Sequence, residues 1–153
     1  ALRGHQLQTI ADLEAVFHDD PFIHISTAGG ADVGCVVAQK VLDISSEKSF
    51  LDHVAMLSDI FDRGMTRLIQ KYPRLLTGFR RKGLMCGIQT SRPDLGPILS
   101  KACYDAGLLC IYAAHDPSVL QFLPALIIDT DLAVEILQRL DRAVETAAAF
   151  IGD

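Results

Sequence analysis

Apolar positions recur at three- and four-residue steps across residues 46–72, where Leu51, Val54, Leu57, Phe61, Met65, Leu68 and Tyr72 line up. That spacing predicts one face of an α-helix. The opposite face carries Glu47, Lys48, Asp52, Asp59, Asp62, Arg63 and Lys71. Ser45 or Ser46 is placed to cap its start and Pro73 to stop it. At about 1.5 Å per residue such a helix spans roughly 40 Å, long enough to link two lobes.

Before it, residues 10–17 read as a short helix, and Pro21 punctuates the chain. Gly29 and Gly30 then precede a helix rich in small and β-branched residues, with Val33, Val36, Val37 and Val41. After Pro73 the period changes. Residues 75–79 and 83–88 read as short strands with Arg80, Arg81 and Lys82 between them. Residues 97–106 read as a helix, with Pro97 in its first turn and Gly107 at its C-terminal cap. Strands are expected at 107–112 and 120–123. A last helix, capped by Thr130 or Asp131, presents Leu132, Ile136, Leu137, Leu140, Val144 and Ala147 on one face. The order strand, strand, helix, strand, strand, helix predicts a small α+β lobe with helices on one sheet face.

Composition narrows the picture modestly. Half of the 153 residues are hydrophobic and 22% are charged, which suits a packed domain rather than disorder. A net charge of −5 with one short basic run argues against nucleic acid as a partner. No stretch approaches the ~20 apolar residues of a membrane-spanning helix, and no signal peptide is evident, so a cytoplasmic setting without membrane attachment is expected. Cys35, Cys86, Cys103 and Cys110 form no C-x-x-C pair and read as reduced thiols.

The stretch richest in candidate chemistry is His24-Ile25-Ser26-Thr27-Ala28-Gly29-Gly30. Hydroxyls and glycines before a helix suit a phosphate, because free N–H groups and the helix dipole attract an anion. The same residues also serve as ordinary caps, and the pattern alone leaves both readings open. His18, Asp19, Asp20 and His24 match no metal-ligand spacing, so no metal is expected. A hydrolase built on Cys35 or Ser26 lacks the G-x-S-x-G elbow.

Four segments together resemble the class III aminotransferases, which depend on pyridoxal 5'-phosphate and share the fold type I architecture. Residues 24–32 are similar to the family's His-x-x-Thr segment, and the helix after them closes with Val41-Leu42-Asp43-Ile44. Gly78-Phe79-Arg80-Arg81-Lys82-Gly83-Leu84-Met85-Cys86-Gly87-Ile88 is similar to V-R-G-x-G-L-M-x-G-I. Ala106-Gly107-Leu108-Leu109 resembles A-x-G-L-L, and Leu120-Gln121-Phe122-Leu123-Pro124 resembles L-R-F-x-P.

The resemblance implies an α/β protein in which residues 1–45 end a large cofactor-binding domain, 46–72 form a connecting helix and 73–153 form the small C-terminal domain. It implies that Thr27, helped by Ser26, binds the cofactor phosphate across a homodimer interface, and that Arg80 and Gln121 lie on the substrate side. The parent enzyme would move an amino group from an amine or amino acid to an oxo acid or aldehyde. Gln121 stands where the family has an arginine, and a neutral amide makes no bidentate charged pair with a carboxylate. The family's Schiff-base lysine lies upstream of the His-x-x-Thr segment, whereas Lys40, Lys48, Lys71, Lys82 and Lys101 all lie downstream. The resemblance therefore implies a C-terminal portion, inactive alone. A non-catalytic α+β interaction module and an aminomutase on the same scaffold are the competing expectations.

Overall fold

The computed structural model of the chain describes residues 18, 19, 27 and 29–151. The helix expected at 10–17, and Asp20, His24 and Ser26, lie outside the described residues. The chain divides into two compact units, residues 1–46 and 47–153.

In the first unit, helix α1 (Asp32–Ser45) has no buried residue. The expected helix of small and β-branched residues forms here, and Val33, Val36, Val37 and Val41 are all more than half exposed.

The second unit begins with helix α2 (Lys48–Lys71). It is followed by β1 (Leu76–Lys82), β2 (Met85–Thr90), helix α3 (Leu95–Asp105), β3 (Ile111–Ala113), β4 (Asp116–Phe122) and helix α4 (Thr130–Ala149). This is the strand and helix order expected from the sequence. The four strands form one antiparallel sheet in the order β1-β2-β4-β3. In the row Phe79, Ile88, Leu120 and Tyr112, the two central residues are fully buried, so this face meets the helices.

The periodic face of α2 drives the packing. Leu57, Phe61 and Met65 are completely buried, and Phe61 meets Phe122 edge-to-face with centroids 5.2 Å apart. Leu51, expected on that face, is 53% exposed, because burial on α2 begins only at Leu57. Helix α4 crosses α2 closely: a Cβ on Gly64 would lie 2.5 Å from the Leu137 methyls. The ring of His53 is 2.8 Å from the Ile128 carbonyl, fastening α2 to the loop before α4. Gly96 is fixed just as tightly, since a Cβ there would fall 1.8 Å from the Pro117 carbonyl.

Several boundaries differ from expectation for local reasons. The Arg80-Arg81-Lys82 run lies within β1 rather than between strands, and the turn is Gly83-Leu84. Gly83 has φ +58°, the positive value a two-residue hairpin requires at its first loop position. Ser45 ends α1 and neither serine caps α2, whose N-cap is Glu47 without a side-chain bond. Asp129, one residue before the expected caps, accepts from Leu132 N–H at 2.7 Å and starts α4. Strand β3 covers only the end of the run expected at 107–112, because residues 106–108 close α3. Gly107 at φ +79° donates to Tyr104 O at 3.0 Å and Leu108 donates to Cys103 O at 2.8 Å, the paired bonds of a Schellman cap.

Candidate functional site

Alternation along β1 sends its two adjacent arginines to opposite faces of the sheet. Arg81 turns toward α2. Its Nε donates to Asp62 Oδ1 at 2.8 Å and its Nη1 to Ser58 Oγ at 2.6 Å, while Asp59 lies 3.7 Å from Nη2. The guanidinium holds the Asp62 carboxyl below its ordinary range, chiefly through that hydrogen bond. Ser58, buried, in turn donates to Gly83 O at 3.0 Å. This is a structural clamp between hairpin and helix.

Arg80 turns to the face without helices. It pairs across the sheet with Gly87, Gly87 pairs with Gln121, and Gln121 with Ile111. Residues directly opposite one another share a face, so Arg80, Gln121 and Ile111 stand in one row with no side chain at Gly87. Arg80 and Gln121 are both exposed. The structure thus brings the two sequence-expected substrate-side residues together on one open surface.

Gln89, on the neighbouring row with Val119, accepts from Arg80 Nη2 at 3.3 Å and donates to Ser118 Oγ at 2.5 Å. Sequence reasoning passed over Gln89 and Gly87. Period-two alternation counted from Arg80, with register from the Gly83 turn, would have placed both.

Thr27 belongs to the first unit, where it lies exposed in a turn before α1. Ala31, the N-cap of α1, supplies no side-chain acceptor, and the first helical bond runs from Cys35 N–H to Ala31 O at 3.0 Å. The N–H groups of the first turn are thus left without a side-chain cap, the feature that attracts an anion. Asp32 in the same turn partly satisfies that dipole itself. These elements fit the phosphate end of a pyridoxal cofactor.

The amine end is not matched. A lysine that forms a Schiff base must lose its proton, which burial or a neighbouring cation promotes. Lys48, Lys71 and Lys101 instead each pair with a carboxylate, Asp52, Asp141 and Asp105 respectively. Asp141 holds the Lys71 ammonium well above its usual range, the opposite of what the chemistry needs. Lys40 and Lys82 are exposed.

Among the described residues, no three His, Cys, Asp or Glu side chains gather into a metal site. Two hollows lie away from the row. One of about 440 Å³ runs between α2 and α4 past Arg67 and Gln138, and one of about 500 Å³ lies between α3 and α4 beside Phe150. Cys86, Cys103 and Cys110 are buried and Cys35 is exposed; burial pushes the Cys86 thiol up to about 11. None of the helices described is long and apolar enough to cross a membrane.

The fold of the chain is that of a portion of a pyridoxal-dependent aminotransferase. It superposes on a PLP-bound aminotransferase mutant from Vibrio fluvialis with a TM-score of 0.73 at 19% identity, covering 93% of this chain and 33% of that one. It also superposes on acetylornithine aminotransferase from Elizabethkingia anophelis, with a TM-score of 0.68 and 25% identity over 80% of this chain and 30% of that one. The sequence profile of class III aminotransferases matches residues 6–144, and the chain belongs to that family. An uncharacterized aminotransferase of Archaeoglobus fulgidus is 41% identical over 136 residues, 89% of this chain and 32% of its own length. The mitochondrial acetylornithine aminotransferase of Saccharomyces cerevisiae is 34% identical over 126 residues, 82% of this chain and 29% of its own length. The chain thus spans about a third of the relatives it matches.

Proposed function

We propose that the chain is the C-terminal portion of a class III aminotransferase whose complete form transfers an amino group from an amine or amino acid to an oxo acid or aldehyde. The observation that carries this is the family match across residues 6–144 by a chain about a third as long as its relatives. Pyridoxal phosphate, when bound, supplies the electron sink for removing a proton next to the nitrogen. In this reading Thr27 and Ser26 donate to its phosphate, and residues 1–45 complete a larger cofactor-binding domain. Residues 46–72 lead into the small domain of residues 73–153, whose open sheet face carries Arg80 and Gln121 toward the substrate.

The same reading includes a cytoplasmic homodimer. Its support is the stripe Val33, Val36, Val37, Val41 and Ile44 on α1, which stands 43–78% exposed and would gain from burial against a second subunit.

The test is cofactor trapping. The chain is incubated with pyridoxal phosphate, reduced with borohydride and digested, and any pyridoxyl-lysine is mapped by mass. The chain alone is expected to show no stoichiometric, site-specific label. Co-expression with the upstream portion of the Archaeoglobus fulgidus relative is expected to give one label, on an upstream lysine. Full labelling of Lys40 or Lys82 in the chain alone would overturn the assignment of the missing amine.

A further inference from the structure

Helix α2 carries Gly64, Arg67, Leu68 and Lys71, and helix α4 carries Val134, Leu137, Gln138 and Asp141. Both sets follow the spacing i, i+3, i+4, i+7, so each forms one ridge on its helix. Together they line the hollow of about 440 Å³ between the two helices. Two contacts pin the ridges to one another. Gly64, lacking a side chain, admits the Leu137 methyls, and Lys71 Nζ reaches both Asp141 oxygens, at 2.8 and 3.0 Å. On α2 those contacts are separated by about 10 Å of helix, and Arg67 lies between them.

Charge in the hollow is unbalanced. Arg67 and Lys71 bring two cations against one carboxylate, Asp141, which Lys71 already holds. Among the described residues no carboxylate lies within ion-pair distance of Arg67, whereas Lys48 at the start of the same helix holds Asp52. The lining thus carries one uncompensated positive charge, and the exposed Gln138 amide lines the same space. The remaining walls are apolar: Ile60 and Leu137 are partly buried, and Val134 is 47% exposed.

This combination selects a ligand class. A guanidinium presents two parallel N–H groups to the two oxygens of a carboxylate, and an amide N–H adds a third donor. One net positive charge balances a monoanion, whereas a phosphate dianion would leave a negative charge facing Asp141. A hollow of small-molecule size with apolar walls also rewards a hydrocarbon tail, which a bare inorganic anion lacks. We propose that the hollow between α2 and α4 binds an alkyl or aryl monocarboxylate, with Arg67 taking the carboxylate, Gln138 orienting it, and Ile60, Val134 and Leu137 covering the tail. The occupant joins the two longest helices of the second unit, so its binding stabilises that unit by mass action. The site shares no residue with the Arg80–Gln121 row and does not depend on the aminotransferase reading.

The test titrates the ¹⁵N-labelled full chain with sodium octanoate. Saturable shifts are expected at the Gly64 and Leu137 amides, at Arg67 Nε–H and at the Gln138 side-chain NH₂. Acetate, an anion without a tail, is expected to leave them in place at the same concentration. Arg67→Gln should weaken octanoate binding about tenfold or more, as loss of a charge-assisted contact does. Val134→Asn, which puts a polar group in the wall, should weaken it by a smaller factor. Lys82→Gln makes the same charge change on exposed β1 and should alter nothing. The dispersion of each spectrum reports whether the variant is folded. Absence of a saturable response up to tens of millimolar octanoate would overturn the proposal, and so would binding that survives unchanged in folded Arg67→Gln. An equal response to acetate, or shifts confined to the exposed valines of α1 or the hollow beside Phe150, would overturn it as well.

Discussion

Arg81 Nε lies 2.8 Å from Asp62 Oδ1, joining the first hairpin of the sheet to the middle of the long helix packed beneath it. The pair is solvent-accessible, yet Arg81 also donates to buried Ser58, whose hydroxyl reaches the turn at Gly83. One side chain thus ties three points of the backbone together.

The acid side of the stability profile reports on this pair. Asp62 has a lowered carboxyl pKa in the folded chain, so its contribution is present above the unfolded value of about 4 and lost as pH falls through the folded one. Asp62→Asn is expected to lower stability at pH 7 and to flatten the decline between about pH 5 and 2. Urea unfolding across that range measures both.

Two glycine substitutions should move in opposite directions. Gly96→Ala drives a Cβ to 1.8 Å from a backbone oxygen of Pro117, and nothing flexible is there to yield. It should cost at least about 1–3 kcal/mol, the range for overpacked interiors. Gly34→Ala, in α1 with nothing within 4 Å, should raise helix stability by about 0.5–1 kcal/mol. Thermal unfolding followed by circular dichroism distinguishes the two.

Gly107→Ala strains the left-handed residue that closes α3 and pushes Arg139 Nη1 from a position 2.3 Å from the new Cβ. The expected loss is about 1–2 kcal/mol. Gly107→Asn should lose less, since asparagine tolerates that conformation better. Denaturant midpoints of the two variants give the comparison.

Thiol reactivity should follow burial. Ellman's reagent at pH 8 is expected to modify one thiol rapidly in the folded chain, Cys35, and all four in denaturant. Cys86, pushed up to about 11, and Cys103, raised by contact with Cys110 and by burial, should stay silent. Cys35→Ser should remove the rapid phase; a second fast thiol would contradict the burial of Cys86, Cys103 or Cys110.

Regular burial was legible in the sequence. The stripe Leu57, Phe61, Met65, Leu68 on α2 and the stripe Leu140, Val144, Ala147 on α4 are the core-facing residues, because a 3.6-residue period leaves few alternatives. The hairpin was not. Three consecutive basic residues read as a loop, while the strand carries them on alternate faces, with Arg81 clamped to α2 and Arg80 facing outward. Helix starts were displaced by one or more residues: Glu47, not Ser45 or Ser46, stands at the start of α2, and the Asp129 carboxylate, not Thr130, accepts from Leu132 N–H at the start of α4. Arg80 and Gln121 could be named from motif resemblance. Their shared row could not, since it depends on the β2–β4 pairing between segments more than thirty residues apart.

The opposed orientations of Arg80 and Arg81 make the hairpin intolerant of length change. Adding or removing one residue at Gly83-Leu84 without compensation would shift β1 by one position against β2. Arg80 would then point at Asp62 and Arg81 at open water. The exchange would leave composition and net charge untouched while inverting which cation is neutralised. A length change here keeps each arginine on its own face only when residues enter or leave in pairs, or when a bulge or longer loop absorbs the extra one.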